Sequence, residues 1–460
     1  MRATQRTTRR TLPLLAALAC LGPSSAAQEA VADVPAVEAV LPGWSPEEEA
    51  AIRLLRTLRQ KQRPADEELV AQLSLAGERL FALFFEILSR RQVPALDGGE
   101  EQILSEIQEE IVLQTVGKLD REAVLAHVEA ELLAGADLRL RYAAMVSIGR
   151  AGRANDLPQL FELALPAAEP ALDRRMAKGL ERAVAALLQH DARAFEQLVV
   201  LRRITRAELL PTLIDAVGAA GDPRGLAFLG ELLYWAEPLA LDIMSQIPRL
   251  GASGDSALDE PLRVRLRPFL APERPGHCRA AITALATLVD FESIPGLIAL
   301  LASEDRGLKE NAHWALKELT GLTFSATPDG WARWHQSELA WAVRAKAREL
   351  QRLQNGDAAD AADALRTLLT HPFARAELCT TLPELLKSRH AALRGLACRT
   401  LGELGVAGVT EKLVWTLEDE IPEVREAAYT ALRRLTRLDL PLEPVAWQSA
   451  TNCDPRTAEL

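Results

Sequence analysis

Residues 397–447 read ACRTLGELGVAGVTEKLVWTLEDEIPEVREAAYTALRRLTRLDLPLEPVAW, and residues 281–331 read AITALATLVDFESIPGLIALLASEDRGLKENAHWALKELTGLTFSATPDGW. Laid over one another at an offset of 116 and without a gap, about 15 of the 51 positions are identical. They include Ala281/Ala397, Leu285/Leu401, Leu301/Leu417, Ala312/Ala428, Leu316/Leu432, Thr320/Thr436, Pro328/Pro444 and Trp331/Trp447. Ala and Leu coincide in any two amphipathic helices, but Thr, Pro and Trp in register do not. The two stretches are an internal duplication.

A shorter period lies inside each copy. Arg425 follows Arg394 by 31 residues, and Lys309 follows Cys278 by the same interval, the length of one helical hairpin. The local frame is an apolar residue, a basic one, then Ala and Leu or Ile at four-residue steps. It appears as Leu140-Arg141-Ala144-Ile148, Leu308-Lys309-Ala312-Leu316, Leu393-Arg394-Ala397-Leu401 and Val424-Arg425-Ala428-Leu432. That spacing sets the basic, Ala and Leu positions along one side of a helix, where the small Ala admits a neighbouring helix.

Outward from these repeats the whole chain fits the same plan. Of its 460 residues 48% are hydrophobic and only 5% aromatic, and apolar residues recur at helical spacing with no sustained alternation. This excludes disorder, collagen-like and strand-rich classes and predicts an all-α fold, an α-solenoid of antiparallel helical hairpins. The expected divisions are a leader (1–27), a linker (28–46), an N-terminal helical region (47–135), divergent repeats (136–276), repeats with a Trp-bearing helix (277–355), their duplicate (356–450) and a tail (451–460).

The leader has a basic start, an apolar stretch TLPLLAALACLG at 11–22, and small residues ending at Ala27. This is the pattern of a secretory signal peptide, with the mature chain beginning at Gln28 and periplasmic or secreted localisation. The apolar stretch is about half of what a spanning helix needs. Thr8-Arg9-Arg10-Thr11-Leu12 also resembles a twin-arginine signal, and Ala17-Leu18-Ala19-Cys20 a lipobox that would tether the protein to the envelope. No later apolar run reaches membrane length. The net charge is −11, and −15 without the four leader arginines, with basic residues scattered, so nucleic acid is not an expected partner.

On the Val-Arg-x-x-Ala frame, the Leu401-Gly402 and Ile148-Gly149 endings, and Asp419 placed six residues before Arg425, the chain resembles the HEAT repeat family. The form is the short bacterial one first associated with phycobilisome lyase subunits. The resemblance covers residues 137–152 and 277–436. It implies that the basic residue links adjacent repeats through an acid ladder. Cys278 stands where the basic residue belongs and Ser303 where the acid belongs, so those repeats are expected to lack the usual cross-repeat bond. The Leu-Thr-x-Leu, Pro and Trp tail resembles helical-repeat proteins exported by planctomycete-type bacteria.

Candidate binding groups are few. Arg141, Lys309, Arg394 and Arg425 could line a groove for carboxylates or phosphates, or serve only the ladder. Pro328 starts a helix on which Trp331, Trp334 and Trp341 project within about 80° of one another; the stripe receives a ligand or seals a repeat stack. The histidines, at 127, 190, 277, 313, 335, 371 and 390, form no metal-binding spacing. No phosphate loop or nucleophile elbow occurs, and the acidic runs Glu47–Glu49, Glu100-Glu101 and Glu109-Glu110 suit helix starts and polar faces. No catalytic residue, cofactor or metal is therefore expected. A turn at Lys387–His390 sets Cys379 and Cys398 at matched height on a hairpin, as a candidate disulfide or as two buried thiols. The expected role is an exported scaffold that binds a protein partner. Alternatives are a structural part of an envelope assembly and, through the resemblance, a bilin-lyase-like enzyme, against which the export signal argues.

Overall fold

Helix starts are marked by short polar caps. Asp137, Asp173, Asp305 and Asp357 each accept hydrogen bonds from first-turn N–H groups of the helix that follows, satisfying donors that the helix itself cannot. The computed structural model describes residues 44–58, 67–96, 99–406 and 408–451. The expected leader, nearly all of the linker and nearly all of the tail lie outside the described residues.

Hairpins stack so that second helices follow one another. Leu138–Ala151, Arg174–His190, Leu210–Ala220, Ala240–Leu250, Pro275–Thr287 and Arg306–Thr320 each pack on the next. Leu157–Ala164, Arg193–Leu201, Gly225–Trp235 and Ser256–Leu266 form the companion layer. A later set, Ala358–Leu369, Ala391–Leu404 and Pro422–Thr436, repeats the arrangement. This is an all-α solenoid, as the period requires. The first region, 47–135, is helical too, with Phe81–Arg90 and Glu106–Val116 packed on Leu138–Ala151. It also holds a two-residue antiparallel pair, Gln92–Val93 with Gln102–Ile103, too short to leave a periodicity in the sequence.

The Leu-Gly endings have a steric reason. A Cβ at Gly149 would stand 2.4 Å from the Cα of Ala183, and one at Gly402 would stand 2.8 Å from the Cα of Ala431. Neighbouring second helices touch backbone to backbone there, which only glycine permits.

The duplication holds atom by atom. The Thr320 hydroxyl donates to Leu316 O at 2.7 Å and accepts from Leu322 N at 3.1 Å; Thr436 does the same with Leu432 O at 2.9 Å and Leu438 N at 3.2 Å. The indole N–H of Trp331 donates to Ser325 O at 3.1 Å and that of Trp447 to Pro441 O at 2.8 Å. All four partners keep the 116-residue offset. Both indoles are fully buried, and His313 and Tyr429, again 116 apart, meet them edge to face. The Thr and Trp identities therefore record a helix end and the plug that closes it.

Between the two copies the hairpin rhythm breaks. Pro328–Trp341, a π-helical turn at Ala342–Lys346 and Ala347–Asn355 run on as one helix. One apolar core ends at Trp331 and another begins at Leu353. Within the intervening stretch the fully buried side chains are Glu338 and Glu349, so polar contacts join the two cores.

Leu316 and Leu432 are fully buried at equivalent places. Leu432→Asp, and likewise Leu316→Asp, forces an unpaired carboxylate into the seam and should cost several kcal/mol. Thermal melts of the full chain followed by circular dichroism should show each variant losing part of its helix well below the parent; a melt like the parent's would place the frame in the wrong register.

Candidate interaction surface

The basic residues of the repeat frame divide into two groups. Arg394 is buried, and its guanidinium clasps the Asp419 carboxylate with two bonds of 2.6 and 2.8 Å while donating to Ser388 O at 2.8 Å. Asp419 lies in the turn of the next hairpin, so the bond ties one repeat to its successor. Arg425 donates to Asp419 O at 2.8 Å and Glu420 O at 3.2 Å. Both arginines thus reach the carbonyl six residues before them. Arg141 is buried as well, bonding Leu163 O at 2.8 Å, Ala164 O at 3.2 Å and Glu169 at 2.6 Å. Its donors cap a helix end whose carbonyls have no intrahelical partner. As groove-lining groups for a ligand, Arg141 and Arg394 are thus already committed within the fold. Lys309 is half-buried and has no hydrogen-bond or ion-pair partner among the described residues.

Where Cys278 and Ser303 replace the clamp, a neighbouring pair stands in. Arg279 approaches Asp305 at 3.5 Å, both partly exposed, a looser contact than that of Arg394. Cys278 itself is buried, and burial pushes its thiol up to about 11.

The tryptophan stripe is turned inward. Trp331 is sealed by Phe324 and Trp334, both edge-on. Trp334 and His335 meet Phe373, and desolvation lowers the pKa of His335. Trp341 lies flat on His371, ring centres 3.5 Å apart. His371 Nδ1 is 2.8 Å from the buried Glu338 carboxylate, which also accepts from Phe373 N at 3.1 Å. The stripe closes the break between the two cores and offers no open ligand face.

Cys379 and Cys398 sit on the two arms of a hairpin, Arg375–Leu385 and Ala391–Leu404, with the turn where the sequence places it. Both are free thiols. Cys398 belongs to the apolar core, where burial holds its pKa up at about 12, while Cys379 is half-buried and lies outside that core. Matched height on a hairpin does not make two side chains face one another.

Other networks leave no motif. Arg267 is bound by Asp290 through two bonds of 2.7 and 2.9 Å, by Glu292 at 2.6 Å and by Glu260 at 3.1 Å; the Asp290 bonds chiefly raise its pKa. Glu109, an acidic-run residue expected on a polar face, is buried. It accepts from the Tyr142 hydroxyl at 2.8 Å and meets Arg182 at 2.7 Å. On the companion layer Ile204, Tyr234 and Trp235 stand 79%, 75% and 48% exposed, beside exposed Val200 and Val264.

The helix packing defines an all-α solenoid. A family model described as HEAT repeats matches residues 378–442, the stretch that contains the Arg394–Asp419 clamp. No curated protein matches the chain. Among solved structures, the crystal structure of an engineered protein is similar at 17% identity over 85% of this chain and 99% of that one, with a TM-score of 0.28.

The clamp sets a pH signature. Its hydrogen bonds from Arg394 hold the Asp419 carboxyl below the ordinary carboxylate range. The stabilisation is then complete above the unfolded value, about 4, and disappears as pH falls through the lower folded value. Arg394→Ala strands a nearly buried carboxylate and should cost about 3 to 5 kcal/mol near pH 7, against about 1 for Arg425→Ala, which loses bonds to carbonyls. Urea unfolding at several pH values should show the Arg394→Ala deficit shrinking toward acid; equal deficits for the two variants would contradict the clamp.

Proposed function

We propose that the chain is an exported, non-catalytic α-solenoid scaffold that binds a protein partner through its repeat surface. Export rests on the leader of residues 1–27, and no helix among the described residues is long and apolar enough to cross a membrane. Support for binding comes from the match to HEAT repeats, which commonly mediate protein interactions, and from the exposed row on the companion layer. Val200 and Ile204, Tyr234 and Trp235, and Val264 come from three successive hairpins, at or just beyond the ends of packed neighbouring helices. The core beneath is complete without them. Exposed aromatics grouped with aliphatics are the composition of a contact surface, since Tyr and Trp gain much on desolvation and keep a polar handle.

Tyr234→Ala with Trp235→Ala removes that contact area without touching a packed core. A tagged full chain recovered from the periplasmic fraction should bring down a stoichiometric protein partner, and the double variant, still helical, should bring it down at least tenfold less. Recovery of pigment in place of a protein, or equal recovery by both chains, would overturn this function or this surface.

A further inference from the structure

A cleft of about 670 Å³ lies where the N-terminal region meets the first repeats, lined in part by Arg91, Arg174, Arg175, Lys178 and Tyr142. Three of its cations fall in the first five residues of Arg174–His190, at the positive end of the helix dipole. That placement opposes the electrostatics of the helix, and local rules are broken where a site requires it. Arg91, from the end of Phe81–Arg90, holds a left-handed conformation with φ 56°. With Arg175 it converges on the Tyr142 ring, at 6.0 and 4.9 Å.

Acidic groups also line the cleft, and each is engaged. Asp173 accepts from Arg175 N and Met176 N. Glu181 takes both its bonds from Lys178 at 2.9 Å, and Asp215 accepts from the Gln246 amide at 2.9 Å. Glu109, behind the cleft, is bound more closely by Tyr142 and Arg182 than by Arg91, which stands 3.5 Å away. Arg174 makes no hydrogen bond or ion pair among the described residues, and the buried Nε of Arg175 has no partner. The charge left over is positive, on a protein of net charge −11.

We propose that this cleft is a recognition site for an acidic peptide segment, whose carboxylates are taken by Arg91, Arg174 and Arg175. Guanidinium forks match carboxylates in pairs, and the Tyr142 face and Thr212 supply a wall for the peptide between its charges. The assignment rests on the reading of the chain as a protein-binding scaffold and names the chemistry of one contact.

The test is a titration of the full chain, at low ionic strength, into a fluorescein-labelled hexaglutamate peptide followed by anisotropy. A net-negative protein attracts such a probe only through a local basic site. Saturable binding is expected, weakened at least tenfold by Arg174→Glu and several-fold by Arg91→Ala, and unchanged by Arg306→Ala, an exposed arginine far along the chain. Absent binding, equal binding by Arg174→Glu, or displacement by inorganic phosphate as effective as by unlabelled peptide would overturn the assignment. Because Tyr234 and Trp235 do not line this cleft, the co-purification result stands or falls separately from this one.

Discussion

At Gly149 against Ala183, and again at Gly402 against Ala431, two helices from successive hairpins meet with no side chain between them. Each hairpin alone cannot bury its apolar side; it must lend that side to the next. Close approach at the second helices sets the spacing, and the spacing fixes which groups meet at the turns. Arg394 reaches Asp419 because the helices bearing them are held at that distance. Gly402 lies two turns further along the helix of Arg394, on the same seam. Backbone contact and guanidinium clamp are thus two ends of one joint.

The break between the copies follows a different principle. From Trp331 to Leu353 the connecting helix carries Glu338 and Glu349 where an ordinary hairpin would bury leucine. His371, Phe373 and the stacked Trp341 fill the space with rings and hydrogen bonds. Polar contacts of this kind specify a geometry while adding less stability than apolar burial of equal area. The two apolar cores are thereby fixed relative to each other by a small set of named contacts, each open to substitution.

Much of this was legible in the sequence, and the reason is the duplication. Thr320 and Thr436, or Trp331 and Trp447, carry the same bonds at the same offset, so their identity in register was a record of structure. The frame also exposed Arg394 and the odd replacement of its counterpart by Cys278. What the sequence hid depends on side-chain direction or on distant partners. Arg267 meets acids 7, 23 and 25 residues away with no motif shared among them. Glu109 sits in an acidic pair that suits a solvated face, and only the fold brings Tyr142 and Arg182 to it. The stripe of tryptophans was visible, but the rings that cover it come from the following hairpin. A π-helical turn adds one residue to a helix and leaves the apolar period almost unaltered.

The backbone contact at Gly402 is tested most directly by hydrogen exchange on the full chain bearing Gly402→Val, compared with Gly395→Ala on the same helix. A Cβ at Gly395 would meet only ordinary contacts, 3.6 Å from Arg399 and 3.8 Å from Val424, so that variant should keep or slightly raise protection. Gly402→Val drives methyl groups into the backbone of Ala431 and should cost about 1 to 3 kcal/mol or more. Amides of both Ala391–Leu404 and Pro422–Thr436 should then exchange at least tenfold faster. Unchanged protection across those two helices would contradict the account.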